Sequence, residues 1–239
     1  MPIKRAFLVA VQATFYQFAS TPPNKTPQKA RFDSDHPMYI RVAPLIMKIQ
    51  QPVLWICTAA ELVLLFAAQD MLPLPPWSGQ LIRQTICPAS QSPNLHVSYL
   101  SLLGLAFVMF GSLLRLTCFR RLGNLFTFDL TIFPTHNLVK SGPYAYVRHP
   151  AYTGTLSMCL GIALINLTTG SWVDECGILG RGTVSAVLRV LGVAVWYVWW
   201  IAVGFTRCRS EDAELKKKFG GEWDQYSKEV RAWFVPGLL

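Results

Sequence analysis

The sequence has few charged residues and few cysteines for its length. Only 15% of its 239 residues are charged, whereas about a quarter are charged in ordinary soluble domains. This shortage excludes a disordered solvating protein and argues against a nucleic-acid-binding protein. Six cysteines are too few for a disulfide scaffold, and none forms a Cys-x-x-Cys pair that would indicate zinc or redox chemistry.

Several catalytic motifs are missing as well. The glycines of residues 177–182 have the wrong order for a dinucleotide fingerprint and follow no predicted strand, and no phosphate-binding loop occurs. The four histidines are His36, His96, His136 and His149. Their spacing fits no metal site, and the sequence has no Ser-His-Asp elbow. We therefore expect neither a hydrolase nor a metalloenzyme.

Apolar residues, by contrast, make up 52% of the sequence. About 20 such residues in a helix cross the hydrocarbon core of a membrane. Four runs qualify when tilt is allowed for: residues 43–68, 98–118, 151–167 and 184–205. Residues 1–20 form either a fifth span or an interfacial helix, with a signal peptide less favoured. We predict an all-α polytopic membrane bundle of about five spans, within a range of about four to six, with a cytosolic C-terminal helical tail and no Rossmann domain.

Lysine and arginine are unevenly distributed between these runs. Sixteen of them lie in residues 21–52, 119–150 and 206–239, whereas residues 69–97 and 168–182 hold only Arg83 and Arg181. The positive-inside rule places the three basic segments in the cytosol.

The predicted topology leaves open what four residues contact. Cys87 and Cys176 fall on the same predicted lumenal side, where they can form a disulfide. Glu61 and Arg189 lie inside predicted spans. Each either faces a partner within the bundle or extends to the membrane edge.

The first polar segment, residues 136–154, precedes the third apolar run. Gly142-Pro143 predicts a turn, and Pro150 suits the first turn of a helix. A helix start offers free N–H groups that favour an anion. Tyrosines and His149 alternate with hydrogen-bond donors here, which is typical of a wall that stacks a nucleobase. The alternatives are a basic pair facing lipid headgroups and a structural aromatic belt.

The second polar segment follows the fourth apolar run. Helical spacing places Arg207, Glu211, Leu215 and, approximately, Phe219 on one stripe, so that a cation, an anion and apolar groups share a face. The alternative is an exposed ion pair worth about 0.5 kcal/mol or less. Gly220-Gly221 predicts the end of the helix, after which aromatic residues fold the tail back on the membrane surface.

Together these segments resemble the isoprenylcysteine carboxyl methyltransferase family, within the wider group that includes phospholipid N-methyltransferases. The resemblance covers residues 119–239, which we expect to form the catalytic region, whereas residues 1–118 form a transmembrane region without a motif. It is carried by His136-Asn137-Leu138-Val139, Gly142-Pro143-Tyr144, Arg148-His149-Pro150-Ala151-Tyr152, Arg207, Glu211-Asp212, Phe219-Gly220, Trp223 and Tyr226.

The resemblance implies an endoplasmic reticulum membrane enzyme that binds S-adenosylmethionine on its cytosolic side. Its cofactor would be held by His136, Asn137, Leu138, Val139, Tyr144, His149, Pro150, Ala151, Tyr152 and Glu211. Arg207 would be the catalytic residue that binds the substrate carboxylate. A further family contact falls near Asp129, and Asp212 stands where the family has glutamate, which leaves the roles of both open.

The implied substrate is the prenylated C-terminal cysteine of CaaX-type proteins, with membrane lipid around its chain. Trp196, Tyr197, Trp199 and Trp200 either line a groove for that chain or anchor the helix in lipid. An arginine near the methyl favours a carboxylate over the amine of a phospholipid, so phospholipid N-methylation is the second hypothesis. A non-catalytic lipid-binding protein is the third, and it would bind no cofactor.

Overall fold

The computed structural model describes residues 2–24, 38–69, 71, 75–90, 92–128 and 136–237. Within these ranges the regular structure is helical. The α-helices are α1 (Pro2–Ser20), α2 (Met38–Ala67), α3 (Pro76–Ile86), α4 (Tyr99–Leu122), α5 (Pro150–Asn166), α6 (Trp172–Glu175), α7 (Gly182–Phe219) and α8 (Gly221–Glu229). Short 3-10 turns lie at Gly123–Leu125 and Gly142–Ala145. The prediction of an all-α helical membrane fold is confirmed.

Among the described residues, three helices are long and apolar enough to cross a membrane: Val42–Ala67, Tyr99–Leu125 and Gly182–Phe219. They correspond to the first, second and fourth predicted runs. The third run forms α5, which is only 17 residues long and is the shortest of the four. Residues 2–20 form α1. The number of spans therefore stays a prediction.

The described residues divide into two compact units. The first comprises Met1–Gln17, Gln50–Met109 and Met158–Tyr197. Its core includes Leu8, Val9, Val108 and Ile165. A disulfide joins Cys87 to Cys176. The sequence alone had left open whether these two cysteines pair.

Two ion pairs lie inside the first unit. Arg5 and Glu61 form a buried ion pair, and Arg5 also donates to the carbonyl of Ile165. Arg189 binds Asp174 at 2.6 Å. Burying a charge is costly unless it is paired, so Glu61 and Arg189 take partners within the bundle, one of the two alternatives.

The second unit comprises Phe18–Ile49, Phe110–Ser157 and Val198–Leu239. Its core includes Cys118, Phe119, Phe126 and Tyr144. Gly154 lets α5 approach α4 closely, because a Cβ there would lie 2.7 Å from both the Arg115 side chain and the Gly111 carbonyl. Both polar segments singled out from the sequence belong to this unit.

Candidate active site

A cavity of about 180 Å³ lies within the second unit. The predicted site residues His136, Asn137, Leu138, Val139, Tyr144, His149, Ala151, Tyr152, Arg207 and Glu211 line it. Pro150 is not among its lining residues, because it is buried and begins α5. Asp129 lies outside the described residues. The structure thus brings the two polar segments together around one space.

The loop before α5 turns sharply at Gly142. Its φ of +65° is a conformation that side chains with a Cβ rarely adopt. The 3-10 turn that follows buries Tyr144, and α5 begins at Pro150 as predicted. This geometry directs Tyr144, His149 and Tyr152 toward the same cavity.

The opposite wall of the cavity is the predicted stripe on α7. Arg207, Glu211 and Leu215, each four residues apart, all line the cavity. Helix α7 continues without a break from its apolar part to Phe219, so one rigid element carries both charges. Phe219 itself lies with its ring 6.4 Å from that of His136.

The carboxylate of Glu211 is held by two residues of the first polar segment, residues 136–154. Tyr152 donates its hydroxyl to Oε1 at 2.5 Å, and His149 Nδ1 lies 3.2 Å from Oε2. Glu211 therefore does not form the exposed ion pair considered as an alternative. Its carboxylate is fixed in the cavity wall.

His149 is buried between two carboxylates. Its Nε2 lies 2.7 Å from Oδ1 of Asp212, opposite the contact with Glu211. Burial by itself lowers the pKa of His149, but its neighbours Cys208, Asp212 and Glu211 raise that pKa well above the ordinary value. The two carboxylates that face the ring nitrogens therefore favour its charged form.

Arg148 completes this network of charges. Its Nη1 donates to Oδ2 of Asp212 at 2.6 Å, and its guanidinium lies 5.5 Å from the centre of the Trp233 ring. The alternative of a basic pair facing headgroups does not describe Arg148 and His149, because both bind Asp212.

The C-terminal tail packs on the site. Tyr226 of α8 donates its hydroxyl to the carbonyl of Tyr144 at 2.7 Å. The amide of Arg148 donates to the carbonyl of Ala232, and that of His149 to the carbonyl of Trp233. Trp223 and Tyr226 are buried and line the cavity, so they pack on protein rather than on the membrane surface expected from the sequence.

Arg207 and a second arginine, Arg115, both line the cavity, and both contact Phe128. Nη2 of Arg207 donates to the carbonyl of Phe128 at 2.5 Å. The guanidinium of Arg115 lies 5.0 Å from the centre of the Phe128 ring and donates to Thr155 at 2.6 Å. Sequence reasoning did not single out Arg115, because an arginine within an apolar run gives no sign of which residues it meets.

The pKa values of His136 and Tyr226, which also line the cavity, are shifted as well. Burial, together with the charge of Lys218, lowers the pKa of His136, so this ring is neutral at pH 7. Burial raises the pKa of Tyr226 to about 12. The pKa values of the two histidines that line the cavity are thus shifted in opposite directions.

The remaining cavity wall is largely apolar, with Thr127, Thr155 and Glu214 as its polar members. Its apolar residues are Ala43, Pro44, Met47, Leu122, Leu125, Phe126, Phe128, Trp200 and Val203. The contribution of α2 was not predicted, since residues 1–118 carry no motif. Trp200 is the member of the predicted aromatic run that lines the cavity. The lining of the site thus includes both charged and apolar side chains.

Comparison with known proteins relates the chain to one family. Residues 102–174 match the sequence model of the isoprenylcysteine carboxyl methyltransferase (ICMT) family. That range contains His136–Tyr152 but ends before Arg207 and Glu211.

Similar proteins come from several animals, and each is named protein-S-isoprenylcysteine O-methyltransferase. The Mus musculus protein is 31% identical over 138 residues, 56% of this chain and 41% of the relative. The Homo sapiens protein is 30% identical over 136 residues, 56% of this chain and 40% of the relative. The Xenopus laevis protein is 30% identical over 109 residues, 41% of this chain and 36% of the relative. The chain spans about two fifths of the length of these curated relatives.

Proposed function

We propose that this chain, whose resemblance to the isoprenylcysteine carboxyl methyltransferase family the comparisons confirm, transfers a methyl group from S-adenosylmethionine to the C-terminal carboxylate of an S-prenylated cysteine. One observation carries the proposal: Arg207, Glu211 and the His136–Tyr152 segment line the same cavity. Residues 119–239 would form the catalytic region.

The charged and aromatic residues of the cavity lining suit the groups of S-adenosylmethionine. Glu211 supplies an anion for an ammonium group, and the aromatic rings of Tyr144 and Tyr152 can stack a base. Nδ1 of His136 and Nε1 of Trp200 are buried and have no hydrogen-bond partner among the described residues. Buried polar atoms normally have a partner, so a polar ligand would satisfy them. When bound, the cofactor supplies an electrophilic methyl group.

Arg207 is the residue proposed to bind the substrate. A C-terminal carboxyl has an ordinary pKa of about 3.5, so it is an anion at pH 7 and needs no general base. A guanidinium binds a carboxylate through two N–H groups while one lone pair stays available for attack. Alignment of two reactants in this way can lower the activation free energy by about 7 to 11 kcal/mol.

The apolar residues of the cavity lining suit a prenyl chain. Transfer of each CH₂ from water to an apolar wall stabilises the bound chain by about 0.8 kcal/mol of free energy. Met47, Val203 and Phe126 belong to that wall. Proteins of the CaaX type carry such a chain, and membrane lipid would surround the part that the cavity leaves exposed.

The proposed location follows from the same chemistry. The basic segments lie in residues 21–52, 119–150 and 206–239, and the positive-inside rule places them, with the site and the C-terminus, in the cytosol. We therefore propose a multi-pass protein of the endoplasmic reticulum membrane, where prenylated proteins would reach the site from the cytosolic leaflet.

The proposed function is tested by transfer of labelled methyl from S-adenosylmethionine to an S-farnesylated cysteine analogue, with phosphatidylethanolamine in parallel. We expect label on the cysteine analogue in a form that base releases, because the product is an ester. Base-stable label on phosphatidylethanolamine would instead support N-methylation. The absence of both cofactor binding and transfer would support a non-catalytic lipid-binding protein.

A further inference from the structure

Asp212 lies next to Glu211 on α7 but is not among the residues that line the cavity. Successive residues of a helix point about 100° apart, so only one of the two carboxylates faces the cavity. Asp212 instead binds two residues of the first polar segment. Its Oδ2 accepts from Arg148 Nη1 at 2.6 Å, and its Oδ1 faces His149 Nε2 at 2.7 Å.

His149 links the two carboxylates. Its ring is 5% exposed, with Nε2 facing Asp212 and Nδ1 lying 3.2 Å from Oε2 of Glu211. An imidazole donates from both nitrogens only when it carries two protons. The pair of carboxylates therefore selects the imidazolium form.

The surroundings of His149 contain both signs of charge. The titratable and charged groups around the ring are Cys208, Glu211 and Asp212 on α7, Arg148 and Tyr152 in its own segment, and Tyr226 on α8. Among these, only Asp212 and Glu211 are carboxylates within hydrogen-bond distance of the ring. Loss of either carboxylate removes an acceptor that the charged ring needs.

Arg148 orients Asp212 from the other side. Its guanidinium packs on Trp233 and donates through Nη2 to the carbonyl of Arg231 at 3.2 Å. Because Nη1 engages Oδ2, the other carboxylate oxygen stays directed at His149. A continuous series of contacts thus runs from the C-terminal tail through Arg148, Asp212 and His149 to Glu211.

We propose that Asp212 is a positioning residue of the methyl-donor site. It keeps His149 charged, so that Nδ1–H fixes Oε2 of Glu211 while Tyr152 fixes Oε1, and Glu211 then meets the ammonium of S-adenosylmethionine in one orientation. The identity of this ligand rests on the proposed function, but the linkage between Asp212 and His149 does not.

Two substitutions separate charge from bulk at this position. In Asp212→Asn, the amide presents one acceptor and one donor group to two donors, so either Arg148 or His149 loses its acceptor. Asp212→Glu keeps the charge, with one more methylene. Asp224→Asn on α8 is the matched control, because Asp224 is a partly exposed partner of Lys216 at 3.0 Å.

The first test measures kcat and KM for S-adenosylmethionine across pH with the full-length protein in lipid. We expect Asp212→Asn to raise KM about tenfold with a smaller change in kcat, and to move the alkaline limb of kcat/KM to lower pH by about one unit. Asp212→Glu should restore both values, and Asp224→Asn should change neither. An unchanged KM and pH profile in folded Asp212→Asn would overturn the inference.

The second test needs no cofactor. In the full-length protein labelled with ¹³C-histidine, His149 should titrate at higher pH in the wild type than in Asp212→Asn, with His149→Asn assigning the signal. Equal titration would overturn the positioning role even if methyl transfer is observed. If no methyl transfer is observed but His149 titrates as expected, only the proposed function would be overturned. Should Asp212→Asn fail to fold, a wild-type His149 that is neutral at pH 7 would overturn the inference.

Discussion

At the scale of residues, the site depends on opposite charges placed on one helical face. Arg207 and Glu211 both line the cavity, and each has partners that fix its direction: the carbonyl of Phe128 for Arg207, and Tyr152 and His149 for Glu211. Because the two charges serve different ligands in the proposed function, their removal should have different kinetic effects.

Arg207→Ala should lower kcat/KM for the prenylated cysteine about a hundredfold, equivalent to about 2.7 kcal/mol of transition-state stabilisation. Glu211→Gln should raise the Kd for S-adenosylmethionine about tenfold, since the ammonium loses its anion. Steady-state kinetics and equilibrium binding measure the two effects. The control is Arg209→Ala, because Arg209 is exposed on the same helix. Equal kinetics in all three variants and the wild type would contradict the assignment.

The raised pKa of His149 also predicts how stability depends on pH. Below about pH 6.5, the ordinary histidine pKa, the ring is protonated in both folded and unfolded chains, and its stabilisation is fully present. That stabilisation is lost as the pH rises through the folded-state value. The thermal midpoint of the wild type should therefore fall more toward alkaline pH than that of His149→Gln. Parallel curves for the two proteins would show that His149 is not held in its charged form.

At the scale of elements, local signals predicted some features and could not predict others. The start of α5 at Pro150 and the end of α7 at Phe219 follow from proline and glycine chemistry. The stripe of Arg207, Glu211 and Leu215 follows from helical periodicity. The C-terminal tail is joined to Arg148 and His149 by backbone hydrogen bonds. Because these bonds do not depend on the side chains, no pattern of side chains could predict them.

The partners of Asp212 were unpredictable for a related reason. They lie more than sixty residues away along the chain, and only the fold brings them together. The same holds for Arg115, which meets the Phe128 ring and Thr155. Sequence reasoning thus named ten of the residues that line the cavity, but it did not predict the rest of the wall or the contacts that hold it.

Close packing of α4 and α5 gives a prediction at this scale. Gly154→Ala should destabilise the protein by about 1 to 3 kcal/mol, because the added methyl meets the Gly111 carbonyl and the Arg115 side chain at 2.7 Å. Gly192→Ala is the control, since a Cβ at Gly192 meets nothing within 4 Å. Unfolding midpoints in detergent compare the two. Equal midpoints would contradict the described approach of α4 and α5.

At the scale of the whole molecule, apolar helices and an uneven charge distribution define a membrane protein. The disulfide between Cys87 and Cys176 joins two segments for which the positive-inside rule predicts the lumenal side. Disulfides persist in oxidising compartments such as that lumen. Bundle architecture, predicted orientation and disulfide are therefore mutually consistent.

This orientation predicts a redox-dependent gel shift. Because Cys87 and Cys176 are buried, a maleimide attached to a large polymer should modify them in microsomes only after reduction, membrane permeabilisation and denaturation. In the Cys87→Ser variant, Cys176 should be modified without reduction once the membrane is permeabilised and the protein is denatured. Modification of both cysteines in intact vesicles without reductant would contradict the predicted side and the disulfide together.

The central claim is that the His136–Tyr152 segment and the charged face of α7 enclose one molecule of methyl donor. Ultraviolet crosslinking of labelled S-adenosylmethionine to the full-length protein, followed by peptide mapping, tests it most directly. We predict label in peptides from residues 136–152 and 207–215, and its loss when excess S-adenosylhomocysteine competes. Competable label confined to other parts of the chain, or no competable label at all, would contradict the account.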